Sequence, residues 1–247
     1  MEIQLDTPLG VRKADLSKPI SIGILLQPGS ANPNCYWAED PVFETIVSGD
    51  FVGDVSKGGP VNYQKITITP HGNGTHTECV GHISQDGETI DVALERFHYI
   101  AELITIQPIE SGEDRIVTFE NFLAARSYDT DAIIIRTMPN DNSKKYMKYS
   151  GTNPPYLDPD ITNHLCKSGV RHLVVDLPSV DKEIDGGKLE AHRNFWTIPR
   201  TESNNATITE LAFIPNELND GLYLLNLQLP LIKIDATISH PVVYNLY

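Results

Sequence analysis

The chain has 247 residues, 40% of them apolar, enough for one large core, and a single α/β domain is expected over residues 1–247. A formal net charge of −14 opposes binding to phosphate backbones and to anionic membrane surfaces, so neither nucleic acid nor a membrane is an expected partner. No stretch approaches the roughly twenty apolar residues of a membrane span, the first residues lack a basic and apolar leader pattern, and Cys35, Cys79 and Cys166 form no CxxC; a cytoplasmic, reducing location is expected.

In chain order, the first predicted strand is Ile20 to Leu26, a β-branched and aliphatic run. The segment from Pro28 to Pro60, rich in Gly, Pro, Asn and Ser and carrying Tyr36 and Trp37, reads as a long loop that either walls a site or packs on the surface. A strand at Tyr63 to Thr69 leads into a histidine-rich segment taken up below. A helix is predicted at Val92 to Phe97, a strand at Ile100 to Ile106, a helix at Thr118 to Ala125 and a strand at Ala132 to Arg136. A helix over Asp160 to Ser168 has Asp158 as N-cap, Pro159 at its first position and Gly169 as its stop. It feeds a strand at His172 to Asp176, and a last apolar run from Leu222 to Ile234 reads as strand. The alternation makes the fold class α/β, a mixed sheet with flanking helices.

The segment His71-Gly-Asn-Gly-Thr-His76-Thr-Glu78-Cys-Val-Gly-His82 puts three histidines and a carboxylate within twelve residues. Imidazole nitrogen and carboxylate oxygen are the ligands that suit zinc, manganese or non-haem iron. On an extended segment His76 and Glu78 share a side, and a turn at Gly81 can bring His82 back to it. Candidate partners follow a later strand end: Asp176 and Asp181, then His192 in Leu-Glu-Ala-His-Arg-Asn and Glu210 in Ile-Thr-Glu-Leu. No GxSxG elbow and no glycine-rich nucleotide loop occurs, which argues against a serine nucleophile or a nucleotide cofactor.

The segment Gly74 to His82 resembles the HxGTHxDxPxH signature of the cyclase superfamily of metal-dependent hydrolases, the group containing bacterial kynurenine formamidase and isatin hydrolase. The resemblance extends to Asp15-Leu16-Ser17, to Ile133-Ile134-Ile135-Arg136-Thr137 against the family's LLRT strand, and to Val175-Asp176-Leu177-Pro178-Ser179-Val180-Asp181 against GIDxxSxD. It implies a swivelling β/β/α cyclase-like fold that holds one or two divalent metals, zinc or manganese. It also implies that His76, Glu78, His82, His192 and Glu210 are metal ligands, with His82 as ligand or proton-transfer residue. Two departures stand out: Gly72 occupies the position of the family's first histidine, and Glu78 replaces its aspartate. His71 and Asn73 flank the gap with the wrong parity for a regular strand, and a bulge or tight turn across Gly72-Asn73-Gly74 would switch it.

The function expected on these grounds is hydrolysis of an amide-type bond, in an aryl-formamide or a cyclic amide, by metal-activated water. The alternatives are a non-catalytic binding protein with a degenerate metal site and a non-haem iron oxygenase using two histidines and a carboxylate. The expected metal set is His71, His76, Glu78, His82, His192 and Glu210 with zinc or manganese, His82 is the expected catalytic residue, and the expected partners are a small-molecule substrate and further copies of the chain in a homo-oligomer.

Overall fold

The computed structural model describes residues 1–198 and 205–247. A nine-stranded mixed sheet dominates the described residues, in the order Ala236–Ile238, His76–Cys79, Thr207–Glu210, His172–Val175, Ala132–Thr137, His98–Ile106, Gly221–Asn226, Val242–Asn245, Ile20–Ser21. Four neighbouring strands, from Thr207–Glu210 through His98–Ile106, run parallel, and the flanks are antiparallel. Strands buried on both faces should read as unbroken apolar runs. Ala132–Thr137 does so, with every residue buried.

Period two divides that run between two cores. Ile133 and Ile135 join Leu173, Val175 and Ile208 beneath Phe122, Ile161, Leu165, Phe195 and Trp196, the inward residues of the helices Phe119–Ala125, Pro159–Lys167 and Glu190–Phe195 and of Trp196, just beyond the last of them. Ala132 and Ile134 turn to the opposite core, with Leu103, Val174, Leu225 and Val243. The helix signals act as expected. Thr118 accepts from the Asn121 N–H at the start of Phe119–Ala125, Asp158 accepts from the Asp160 N–H, and Gly169 takes φ 77° after the Pro159–Lys167 helix.

Several predicted elements come out differently. The first strand is only Ile20–Ser21, because the partner strand continues into Pro241, which has no N–H to give the ladder. No helix forms at Val92 to Phe97. A single 3-10 turn, Ile90–Val92, is followed by a turn and bends, and the Phe97 carbonyl accepts from the Leu227 N–H. The run from Leu222 to Ile234 is strand only over Gly221–Asn226 and leaves the sheet before Pro230. The Tyr63 to Thr69 strand is Gln64–Thr67, which pairs with Val42–Thr45 outside the main sheet. The hairpin Glu2–Thr7 with Gly10–Asp15, the edge strand Ala236–Ile238 and the strand Val242–Asn245 were not anticipated.

His172 opens a central strand in a fully buried position, its ring 3.9 Å from that of Tyr99 and its Nδ1 2.9 Å from Thr207 Oγ1. Burial, helped by Arg96 and Arg171, lowers its pKa from 6.5 to about 3. Below about pH 6.5 the unfolded chain therefore takes up a proton that native His172 refuses, so the stability it confers is complete above 6.5 and is lost as pH falls toward 3. Replacing His172 by Phe should narrow the stability gap to wild type by about 2 kcal/mol between about pH 7 and pH 5, read from urea midpoints. A constant gap would mean that His172 is charged in the native state.

Candidate metal centre

The site begins at a single helical turn, Pro70–Asn73, with proline at its first position and the Gly72 N–H donating to Thr69 O. Gly72 packs against the long loop: the Cys35 N–H donates to Gly72 O, and a Cβ at Gly72 would lie 2.3 Å from the Ala38 Cβ. No side chain fits there. The turn changes the parity of the chain and swings His71 toward the cluster. Asn73 faces the other way, its Oδ1 accepting from the Thr69 N–H and its Nδ2 donating to Glu39 O.

After Gly74 the chain enters His76–Cys79, buried at every residue between Thr207–Glu210 and Ala236–Ile238. His76 lies directly opposite Glu210, so both side chains occupy one face, with His76 Nε2 3.3 Å from Glu210 Oε2. The other ring nitrogen, Nδ1, donates to Gly74 O at 3.0 Å, which leaves the Nε2 lone pair facing the cluster. Glu78, two residues on, is fully buried on the same face. The chain then turns through Val80–His82, where a Cβ at Gly81 would stand 1.8 Å from Glu88 O. Gly81 is thus needed for close approach, and the turn returns His82 to the site as expected.

His192 arrives from the helix Glu190–Phe195, whose preceding residue, Leu189, makes no side-chain cap. Asp181 substitutes for that cap by accepting from the Ala191 and His192 N–H groups, and the same carboxylate accepts from His192 Nδ1 at 2.6 Å. This fixes His192 with Nε2 3.0 Å from Glu78 Oε1 and 3.8 Å from Glu210 Oε1. The second Glu78 oxygen, Oε2, is 3.2 Å from His71 Nδ1 and 3.8 Å from His82 Nε2. All six sequence-selected residues, His71, His76, Glu78, His82, His192 and Glu210, therefore converge. Asp176 does not join them; it is buried in a pair with Lys144 at 2.8 Å. Asp235 was missed. It lies in an apolar context with no motif, one residue beyond the predicted last strand, yet it contacts His71 and His82.

Burial works against charge on Glu78, His192 and His71, and opposite charges overcome it. The Glu78 carboxyl is held well below its usual range chiefly by His192, with His71 and His82 adding to it. His192 is raised well above an ordinary histidine by Glu78 and Asp181, and His71 is raised to about 9 by Glu78 and Asp235. The balance is incomplete: His76 Nε2 and Glu78 Oε2 are buried without a hydrogen bond, although a nitrogen approaches each carboxylate oxygen. Buried polar atoms rarely go unpaired. Donor atoms of His71, His76 and Glu78 lie within 4.8 Å of one another, as do those of Glu78, His82 and His192. Neutral imidazoles with fixed tautomers around a carboxylate are the donor set of a divalent cation, which would satisfy both unpaired atoms.

An α/β fold whose sheet carries such a histidine and carboxylate centre defines a class, the metal-binding α/β proteins, and comparison with known proteins narrows it. The sequence profile of the Cyclase family matches residues 14–182, and the chain belongs to that family. Kynurenine formamidase of Bacillus cereus is 25% identical over 224 residues, covering 90% of this chain and 91% of that one. Among solved structures, a potential metal-dependent hydrolase with cyclase activity superposes with TM-score 0.68 at 14% identity, over 92% of this chain and 97% of that one. Isatin hydrolase A from Labrenzia aggregata superposes with TM-score 0.65 at 12% identity, over 92% and 93%.

Gly72→Ala should destabilise the fold by about 1–3 kcal/mol, since Ala38 and the backbone behind it must move. Asn73→Ala should cost a similar ~1–3 kcal/mol by stranding its two backbone partners. Thermal or urea unfolding of the two variants checks both values, and a neutral Gly72→Ala would show that the loop yields.

Proposed function

We propose that this chain is a metal-dependent amidohydrolase that cleaves an aryl-formamide or a cyclic amide, with zinc or manganese held by His71, His76, Glu78, His82, His192 and Glu210. The observation that carries the proposal is the buried Glu78 carboxylate, with one oxygen toward His192 and the other, unpaired, toward His71 and His82. The curated kynurenine formamidase relatives support the substrate class.

A divalent cation bound there supplies Lewis acidity toward a carbonyl oxygen and lowers the pKa of coordinated water to about 7. The protein's own groups do the rest. His76, Glu78, His192 and Glu210 form a dry floor, each almost wholly buried, that keeps bulk water from the charged groups. His82 stands at the mouth with its side chain about a third exposed, 31%, so an amide can reach its Nε2, which, when it is not bound to the cation, would accept a proton from water and deliver one to the leaving nitrogen. Asp181 holds the His192 ring, and His76 is held by Gly74 O.

Protein purified without added metal should carry at least one equivalent of zinc or manganese by elemental analysis, and it should hydrolyse members of an aryl-formamide and lactam panel equally well without oxygen. An oxygen requirement would overturn the proposal. Glu78→Gln should lose both metal and activity by at least tenfold, and full activity in Gln would place Glu78 outside the metal's ligands. Because His71 and His192 are protonated near neutrality before metal enters, uptake must release protons. Apparent affinity should therefore rise with pH toward about 9, which calorimetry in buffers of different ionisation enthalpy measures.

A further inference from the structure

Asp235 lies outside the residues that family resemblance selects. Its Oδ2 is 3.0 Å from His71 Nε2 and 3.3 Å from His82 Nδ1. A carboxylate only accepts, so both of these nitrogens carry hydrogen, and in the neutral rings that would receive a cation the free lone pairs fall on His71 Nδ1 and His82 Nε2. Those two atoms face the same Glu78 oxygen, at 3.2 and 3.8 Å. The rings stack between the two carboxylates, their centroids 4.1 Å apart and their planes inclined by 30°.

The backbone keeps this arrangement in register. The Cys79 N–H donates to Asp235 O at 3.0 Å, and in the next pair of the ladder Ala236 stands opposite Glu78. The strand that carries Glu78 therefore also fixes the carboxylate behind the histidines. Without Asp235 the His71 ring, on a single helical turn beside a glycine, has no other hydrogen-bonding partner at Nε2 among the described residues.

We propose that Asp235 is a positioning residue that orients His71 and His82 together, and that it is what makes His71, although one residue out of step, an effective metal-binding side chain. It stands behind both rings as seen from Glu78, where it sets tautomer and direction without touching the cation. A carboxylate behind a ligating imidazole also raises that ligand's basicity. The proposal rests on the metal-dependent function above only in naming the cation; the ring orientation stands independently of it.

The test uses zinc alone, with affinity measured by competition against a chromophoric chelator for wild type, Asp235→Ala, Asp235→Asn, His71→Ala and the double variant Asp235→Ala with His71→Ala. Asp235→Ala should weaken binding by about 10–100-fold. Asp235→Asn, whose amide oxygen can still accept, should recover part of that. The double variant should lose less than the product of the two single losses, because the part of the Asp235 effect that runs through the His71 ring is already lost in His71→Ala. Affinities within twofold of wild type, or strictly multiplicative losses, would overturn the proposal. Crystals of metal-free Asp235→Ala give a readout that needs no metal. His71 and His82 should be turned from Glu78, and unchanged rings would overturn the positioning role even if wild type bound no zinc, a result that would by itself remove the metal-dependent function. Zinc-soaked wild-type crystals with Asp235 as a direct ligand would overturn it as well. Asp235 is one-third exposed at the edge of the sheet, so its variants should fold, which thermal unfolding of the metal-free proteins verifies.

Discussion

A carboxylate that no water reaches dictates the architecture of this protein's centre. Removing an unpaired ion from water costs several kcal/mol even after the surroundings relax, and Glu78 is wholly buried. The charge persists only because His192, His71 and His82 surround it. Each of those rings must in turn be aimed, which is why Asp181 and Asp235 are present behind them. The centre thus has layers: an inner carboxylate, a shell of imidazoles, and outer acceptors that set the tautomers.

The sheet makes these layers affordable in conformational terms. Glu78 and His76 sit on an inner antiparallel strand, Glu210 lies across the ladder from His76, and Val180 gives its N–H to Glu210 Oε1. The aimed groups are therefore anchored to elements already fixed by core packing, so little further ordering is needed to assemble the site. The same carboxylate of Asp181 caps a helix and orients His192, which couples local helix formation to the geometry of the centre. Burial is uneven around the cluster. Glu78, His76, His192 and Glu210 are closed off, while His71, His82 and Asp235 are each about a quarter to a third exposed and form the open side of the centre.

Gly72 is held as glycine by its surroundings. The Ala38 methyl and the Cys35 carbonyl press on this position so closely that no side chain fits. A one-turn helix presents the preceding residue, His71, to Glu78, and Asn73 holds that turn closed. The Glu78 side chain reaches far enough for its Oε2 to meet His71 at Nδ1.

Local sequence was sufficient for much of this. Residue chemistry and spacing select His76, Glu78 and His82, which are neighbours in the chain, while His192 and Glu210 come in through the family resemblance and His71 and Asn73 remain alternatives at that level. The buried parallel strands Ala132–Thr137 and His172–Val175 and the helix Pro159–Lys167 were equally legible, since unbroken apolar runs and capping residues are local signals. Position in space was not local. The Pro70–Asn73 turn that chooses His71 over Asn73 depends on packing against a loop more than thirty residues earlier. Asp235 carries no signal in its neighbours and gains its role from an edge strand, Ala236–Ile238, that is too short to read and forms only because Glu78's strand offers it a partner. The sequence by itself determined which chemical groups are present and which segments are stiff; the tertiary structure decided which groups face one another, because hydrogen-bond direction and burial are set by contacts between residues distant in the chain, 164 positions apart in the case of His71 and Asp235.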